Sequence, residues 1–182
     1  MLIFISGGVR SGKSTLGEKL ANELADGNKI YLATSKAYDD EMRRRIHRHQ
    51  ADRAQKGFLT IEKSENIGEI VTELNSSDTV LMDCLGNLVA NEMFHGDDSD
   101  CNPQVKMEIT ERIYADVIKI NAAVKNLIVI SNEVFSSGIS YDPATEAYIE
   151  VLGQLHIKIA AAAQQAIECV FGNTMYHKGE VQ

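Results

Sequence analysis

The sequence predicts an α/β fold in which a mostly parallel sheet carries helices on both faces. Three observations lead there. Short apolar, partly β-branched runs alternate along the chain with longer segments of helical periodicity. The first such run, Met1-Leu2-Ile3-Phe4-Ile5, leads directly into Gly7-Gly8-Val9-Arg10-Ser11-Gly12-Lys13-Ser14, a complete G-x-x-x-x-G-K-S. That loop opens in turn into a segment with Leu16, Leu20 and Leu24 at helical spacing. Strand, glycine loop and helix in this order make the pattern a phosphate-binding loop rather than a chance turn. The expected class is therefore P-loop NTPase-like (RecA-like), and the expected ligand is a nucleoside triphosphate.

The remaining elements follow in order. Lys29-Ile30-Tyr31-Leu32-Ala33-Thr34 reads as the second strand, and a charged helix is expected from about Asp40 to Arg53. Phe58–Ile61 is a short strand, Ile67–Leu74 a short helix, and Thr79–Asp83 an apolar strand ending in an acid. Helix follows through Leu88 and Met93, then a polar loop over His95–Asp100. From about Val105 to Val124, Ile109, Ile113, Val117, Ile120 and Val124 share one stripe. Leu127–Ser131 is another buried strand. Asp142 before Pro143 is a strong helix start, an N-cap acid followed by proline at the first helical position. That helix should run to about Gln165, with Ile167–Phe171 as the last strand.

Composition narrows the class. A chain of 182 residues with no repeat and no linker is expected to form one domain, residues 1–182. A formal net charge of −8 argues against general nucleic-acid binding, which needs a basic surface to displace counterions. Cys84, Cys101 and Cys169 form no C-x-x-C pair and read as reduced thiols, neither a disulfide frame nor a zinc site. The apolar start lacks a basic flank and runs into the loop, so it is not a signal peptide, and no run approaches a membrane span. A cytoplasmic protein is expected.

The loop carries the chemistry. Its glycines let successive N–H groups turn toward a phosphate, and the helix start adds partial positive charge. Lys13 is expected to reach the β- and γ-phosphates, and Ser14 to offer its hydroxyl to Mg²⁺. Asp83, at the carboxyl end of a strand, stands where a Mg²⁺-water ligand belongs; a helix-capping aspartate is the other reading. Glu133, ending Ser131-Asn132-Glu133, is either a substrate- or metal-orienting acid or a turn acid. On the charged helix, 100° per residue places Met42, Ile46, His49 and Arg53 on one stripe and turns His47 away. Only His49 can then face the interior or a cleft, as a core histidine or as a reactive one.

Several of these motifs together resemble one family. The loop Gly7-Gly8-Val9-Arg10-Ser11-Gly12-Lys13-Ser14, Tyr31-Leu32-Ala33-Thr34-Ser35, Asp40-Glu41-Met42, Arg45-Ile46-x-x-His49-x-x-x-Arg53, Asp83-Cys84-Leu85 and Ser131-Asn132-Glu133-Val134 keep the order and spacing of the bifunctional adenosylcobinamide kinases / adenosylcobinamide-phosphate guanylyltransferases. The resemblance covers nearly the whole chain. It implies phosphorylation of the aminopropanol hydroxyl of adenosylcobinamide, then transfer of GMP from GTP through a histidine, with Mg²⁺ as cofactor and GTP or ATP as phosphate donor. It further implies that His49 is the nucleophile. Ala33, Thr34 and Ser35 would line the nucleotide pocket beside Gln50, Ala51, Asp52 and Arg53, with Glu62 a nucleotide contact and Asp83 the acid near the metal. A corrinoid substrate and a homo-oligomer, a trimer, are implied as well.

The departures from the family pattern fall downstream. Gly86 replaces a hydroxyl residue after D-C-L, and Phe135 stands in place of glycine. The helix after Pro143 reads Glu146-Ala147-Tyr148-Ile149-Glu150 without the usual arginines; His156 takes the place of asparagine, and Gln164 lies near an expected aspartate. Two other classes of function stand beside the first: a kinase or nucleotidyltransferase acting on a different acceptor, and a nucleotide-gated binding protein without turnover.

Overall fold

The computed structural model describes residues 1–36, 41, 44, 53–94, 102–136 and 138–179. Its sheet has seven strands in the order β3-β2-β4-β5-β1-β6-β7. These are β1 (Leu2–Gly7), β2 (Lys29–Ala33), β3 (Phe58–Glu62), β4 (Thr79–Asp83), β5 (Asn126–Asn132), β6 (Gln165–Val170) and β7 (Asn173–Lys178). The helices are α1 (Lys13–Leu24), α2 (Leu85–Met93), α3 (Pro103–Ala123) and α4 (Pro143–Ala162), with a 3-10 segment at Ile67–Glu73. All strand pairs are parallel except β6–β7.

Period-two alternation sorts the apolar strand residues between two cores. Ile3, Ile5, Tyr31, Leu81, Ile128 and Ile130 pack with Leu20 and Ala21 of α1. Leu2, Phe4, Leu32, Val80, Met82 and Val129 pack against α2, α3, α4 and the 3-10 segment. The helices thus cover both faces, as the continuous apolar strands require. α1 lies close on its face because Gly17 has no side chain: a Cβ there would stand 2.8 Å from Ile130 Cδ1 and 2.9 Å from Leu81 Cδ1. Asp142 caps α4 as expected, accepting from the Ala144 and Thr145 amides at 3.0 and 3.1 Å. Among the described residues, no helix is long and apolar enough to cross a membrane.

Three differences from the sequence reading stand out. α4 ends at Ala162, and Gln165 already belongs to β6, so helix gives way to strand earlier than the alanine-rich run implies. The 67–74 segment is 3-10 rather than α. The chain also makes a seventh strand: β7 folds back on β6 through the two-residue turn Phe171-Gly172. Of the expected charged helix, Glu41, Arg44 and Arg53 are described and helical; the expected loop at His95–Asp100 and Cys101 lie outside the described residues.

Candidate functional site

β1 lies inside the sheet between β5 and β6 and delivers the glycine loop at its carboxyl end, where open α/β sheets bind ligands. Gly7 is required by close approach: a Cβ there would lie 2.5 Å from Ser11 Oγ and 2.6 Å from the Cys169 carbonyl oxygen. Gly12 sits at φ 97°, a left-handed conformation natural to glycine, and hands the chain to α1 with no side-chain cap. The first amides of the helix are thereby left to an anion. Lys13 is only 8% exposed and donates from Nζ to the Gly8 carbonyl at 3.0 Å, folded across the loop that it would help to charge. Residues Arg10–Thr15 line a hollow of about 260 Å³. Ser11 Oγ is buried there without a hydrogen-bond partner.

Asp83 meets this loop from β4. Its Oδ2 accepts from Ser14 Oγ at 3.1 Å and from the Tyr31 hydroxyl at 2.7 Å. Burial, and then the charge of Asp83, raise the Tyr31 pKa far above the usual phenol range, so Tyr31 stays a donor at any working pH. The Arg53 guanidinium lies 3.4 Å from the centre of the Tyr31 ring. Arg53, Tyr31, Asp83 and Ser14 therefore form one connected line from the charged helix to the phosphate loop. Hydroxyl and carboxylate oxygens side by side are the hard donors that suit Mg²⁺ with water and phosphate completing its shell.

The other expected pocket residues take definite places. Ala33 pairs with Asp83 on one side and Glu62 on the other, so these three form a row at the carboxyl ends of β4, β2 and β3. Thr34 is fully buried. Its Oγ1 donates to the Cys84 carbonyl at 2.7 Å and accepts from the Cys84 amide at 2.8 Å, while its own amide donates to the Asp83 carbonyl. Thr34 thus fixes the backbone that carries Asp83 and gives its hydroxyl to that task. Ser35 is half-buried just beyond it. His49, with Gln50, Ala51, Asp52 and His47, lies outside the described residues. Glu133 touches the loop by its backbone, its amide donating to the Gly7 carbonyl at 2.9 Å, whereas Oε1 accepts from the Phe135 amide and Ser136 Oγ in its own turn.

Three features escape a reading of the sequence as a single line. Tyr31 reaches Asp83 only because β2 is placed beside β4, which period-two alternation plus strand order would have revealed. His156 hydrogen-bonds Ser131 Oγ at 2.7 Å and meets the rings of Phe4 and Phe135 edge-on. Burial lowers its pKa to about 4 and keeps the imidazole neutral. Gly86 stands so close to Tyr148 that a Cβ would lie 2.9 Å from the tyrosine oxygen, so the missing side chain and the tyrosine share one space. Cys84 and Cys169, by contrast, are buried and unpaired as expected, and burial, then Asp83, push the Cys84 thiol up to about 11.

A glycine loop at the end of a central strand, with a buried lysine and an acid bonded to its serine, defines a phosphate-loop nucleotide-binding protein. A solved structure of an ATPase domain shares the fold, with a TM-score of 0.50 over 92% of this chain and 68% of that one, at 14% identity. More narrowly, the cobinamide kinase / cobinamide phosphate guanyltransferase family model matches residues 3–176, and the chain belongs to that family. It is 28% identical over 178 residues to the bifunctional adenosylcobalamin biosynthesis protein CobU of Escherichia coli K12, covering 94% of this chain and 97% of that protein. To the bifunctional adenosylcobalamin biosynthesis protein CobP of Pseudomonas aeruginosa it is 29% identical over 177 residues, covering 97% and 96%.

Proposed function

We propose that this protein phosphorylates the hydroxyl of a cobinamide and then links the product to GMP drawn from GTP. The observation that carries the reading is the Ser14–Asp83 contact beside Lys13, in a chain that matches the family over residues 3–176. In the first step the cobinamide hydroxyl oxygen attacks the γ-phosphorus. The bond to the β-phosphate bridging oxygen breaks, and the hydroxyl proton passes to solvent. Lys13 and the loop amides hold the phosphates and offset the charge that develops on the leaving diphosphate. Mg²⁺, held by Ser14 and through water by Asp83, would supply further charge neutralisation.

In the second step a histidine nitrogen attacks the α-phosphorus of GTP, and pyrophosphate departs. The cobinamide phosphate oxygen then displaces the histidine and takes the GMP. His49 is the nucleophile in this proposal, supported by its place on the Met42–Ile46–Arg53 stripe and by the family pattern. Arg53, which shares that stripe by sequence, stacks on Tyr31 and so stands beside Asp83 and the loop. The same protein takes GTP or ATP in the first step and acts on its corrinoid as an oligomer.

Incubation with α-labelled GTP and Mg²⁺ tests the reading. A label held on histidine, and released to cobinamide phosphate when that is added, is the expected result. Phosphate transfer to an acceptor with no protein label would reassign the chain as a simple kinase. Nucleotide binding with neither outcome would reassign it as a nucleotide-gated binding protein.

A further inference from the structure

Tyr148 carries a hydroxyl that the fold does not use. The residue is half-buried on α4 and packs against the core that α2, α3 and α4 cover. Nothing among the described residues hydrogen-bonds its oxygen, and that oxygen is not sealed from solvent. Phenylalanine would pack there as well without a polar atom to satisfy. Space is nonetheless cleared for the hydroxyl. Gly86, buried in the first turn of α2, is the residue whose Cβ would stand 2.9 Å from it. Glycine weakens a helix relative to alanine, so α2 itself gains nothing from the gap.

The hydroxyl reaches the rim of the nucleotide site. Gly86 follows Asp83 by three residues, a reach of at most about 11 Å. Asn132 aligns with Gly7, the first residue of the glycine loop, and its Nδ2 lies 3.6 Å from the same Gly86 Cβ position. Its one hydrogen bond is a long one, 3.8 Å to Cys84 Sγ. Two uncharged polar groups thus flank one point at the carboxyl ends of β4 and β5. The charged groups stand elsewhere: Asp83 is bonded to Ser14 and to Tyr31, whose core is the one that α1 covers. The nucleoside pocket implied for Ala33–Ser35, Glu62 and Arg53 lies toward β2 and β3. The α4 side of β4 and β5 is left for a second substrate.

We propose that the Tyr148 hydroxyl, with the Asn132 side-chain amide beside it, binds the cobinamide hydroxyl that receives the γ-phosphate. The inference rests on the kinase reading given above. An alcohol both donates and accepts a hydrogen bond. Tyr148, whose pKa burial pushes up to about 12, stays protonated and donates, while the amide offers an acceptor oxygen next to its donor nitrogen. Neither group is charged, so together they suit an alcohol, and the phosphates are left to Lys13.

Steady-state phosphate transfer from ATP to cobinamide, read at varied cobinamide, tests this. Tyr148→Phe should raise the KM for cobinamide about 10-fold, the size of one lost hydrogen bond, with ATP affinity unchanged. Labelling of the protein by GTP, which needs no acceptor, should be unchanged too. Gly86→Ser in the Tyr148→Phe background returns a hydroxyl to the cleared space and should recover most of the affinity. An unmoved KM in Tyr148→Phe would overturn the proposal, and a lower melting temperature alongside it would make the tyrosine merely structural. An equal loss of ATP affinity would also overturn it, by placing Tyr148 on the nucleotide. If wild-type protein bound ATP but passed no phosphate to cobinamide, the kinase reading would fall first and this inference with it.

Discussion

Tyr31 pairs with Leu81, two residues before Asp83 and on the same face, and its hydroxyl closes that offset to donate to Asp83 Oδ2 at 2.7 Å. The same carboxylate oxygen accepts from Ser14. One oxygen thus ties the second strand to the phosphate loop, and the tyrosine fixes which way the acid points.

Tyr31→Phe should therefore disturb catalysis more than folding. Loss of one hydrogen bond costs about 1 kcal/mol of stability. If Asp83 is the acid beside Mg²⁺ as proposed, loss of its orienting partner should cost about 10–100-fold in metal affinity or activity. The check is the Mg²⁺ concentration giving half-maximal turnover, which should rise in the variant. A purely structural tyrosine would lower the melting temperature and leave that concentration alone.

Asp83→Asn keeps the shape and removes the charge. Turnover should fall about 100-fold while nucleotide affinity changes by only a few-fold, because neutralisation matters most as charge develops on the leaving group. Single-turnover kinetics and equilibrium titration on the same protein separate the two. Wild-type turnover at saturating Mg²⁺ would leave Asp83 a structural tie between Tyr31 and Ser14.

The elements with strong apolar periodicity were legible at once, since β1, β4 and β5 are buried on both faces and read as unbroken hydrophobic runs. β7 was not, because every one of its residues is exposed and its Met175 and Tyr176 alternate against no core. The glycine loop was legible because its chemistry is local. The roles of Tyr31 and Thr34 were not, since each depends on β2 lying beside β4, a fact of sheet order rather than of neighbouring residues. Glu133 had two readings on sequence; its Oε1 serves its own turn, which only the backbone path beyond the strand reveals.

His47 and His49, two residues apart in the sequence, give a sharp contrast. His49→Ala should abolish a GMP adduct that is labile to acid and stable to base, while leaving γ-phosphate transfer largely intact. His47→Ala should behave nearly as wild type. Mass-spectrometric mapping of the adduct to His47 would mean that the helix is rotated from the stripe given above.

His156 makes stability depend on pH. Its folded pKa is lowered to about 4 by burial, against the opposing pull of Glu133, from an ordinary value of 6.5. Below 6.5 the unfolded chain binds the proton and the folded one does not, so stability is full above that value and falls as the pH drops toward 4. Between about pH 7.5 and about pH 4.5 the loss from this residue is about 2 kcal/mol. Urea unfolding at the two pH values should show His156→Asn gaining that amount relative to wild type. Parallel losses in both proteins would assign the acid sensitivity to other groups.

Gly86 and Tyr148 should behave as one unit. Gly86→Ser places a carbon against the tyrosine oxygen and should destabilise by about 1–3 kcal/mol. Tyr148→Phe removes that oxygen and should recover most of the loss, a coupling of about 1 kcal/mol or more in a double-mutant cycle. Additive effects would mean that the helices simply move apart.

The strand that bears the phosphate loop precedes both of its neighbours by most of the chain: Ile3 aligns with Ile128 on one side and Gln165 on the other. A chain emerging during synthesis therefore holds its loop sequence long before it holds a cradle. Such distant pairings form slowly and late. The nucleotide site comes into being only when β5 and β6 have closed around β1, so a ligand caught there reports on the whole sheet. Bound nucleotide should then protect the amides of every central strand together, rather than those of the loop alone.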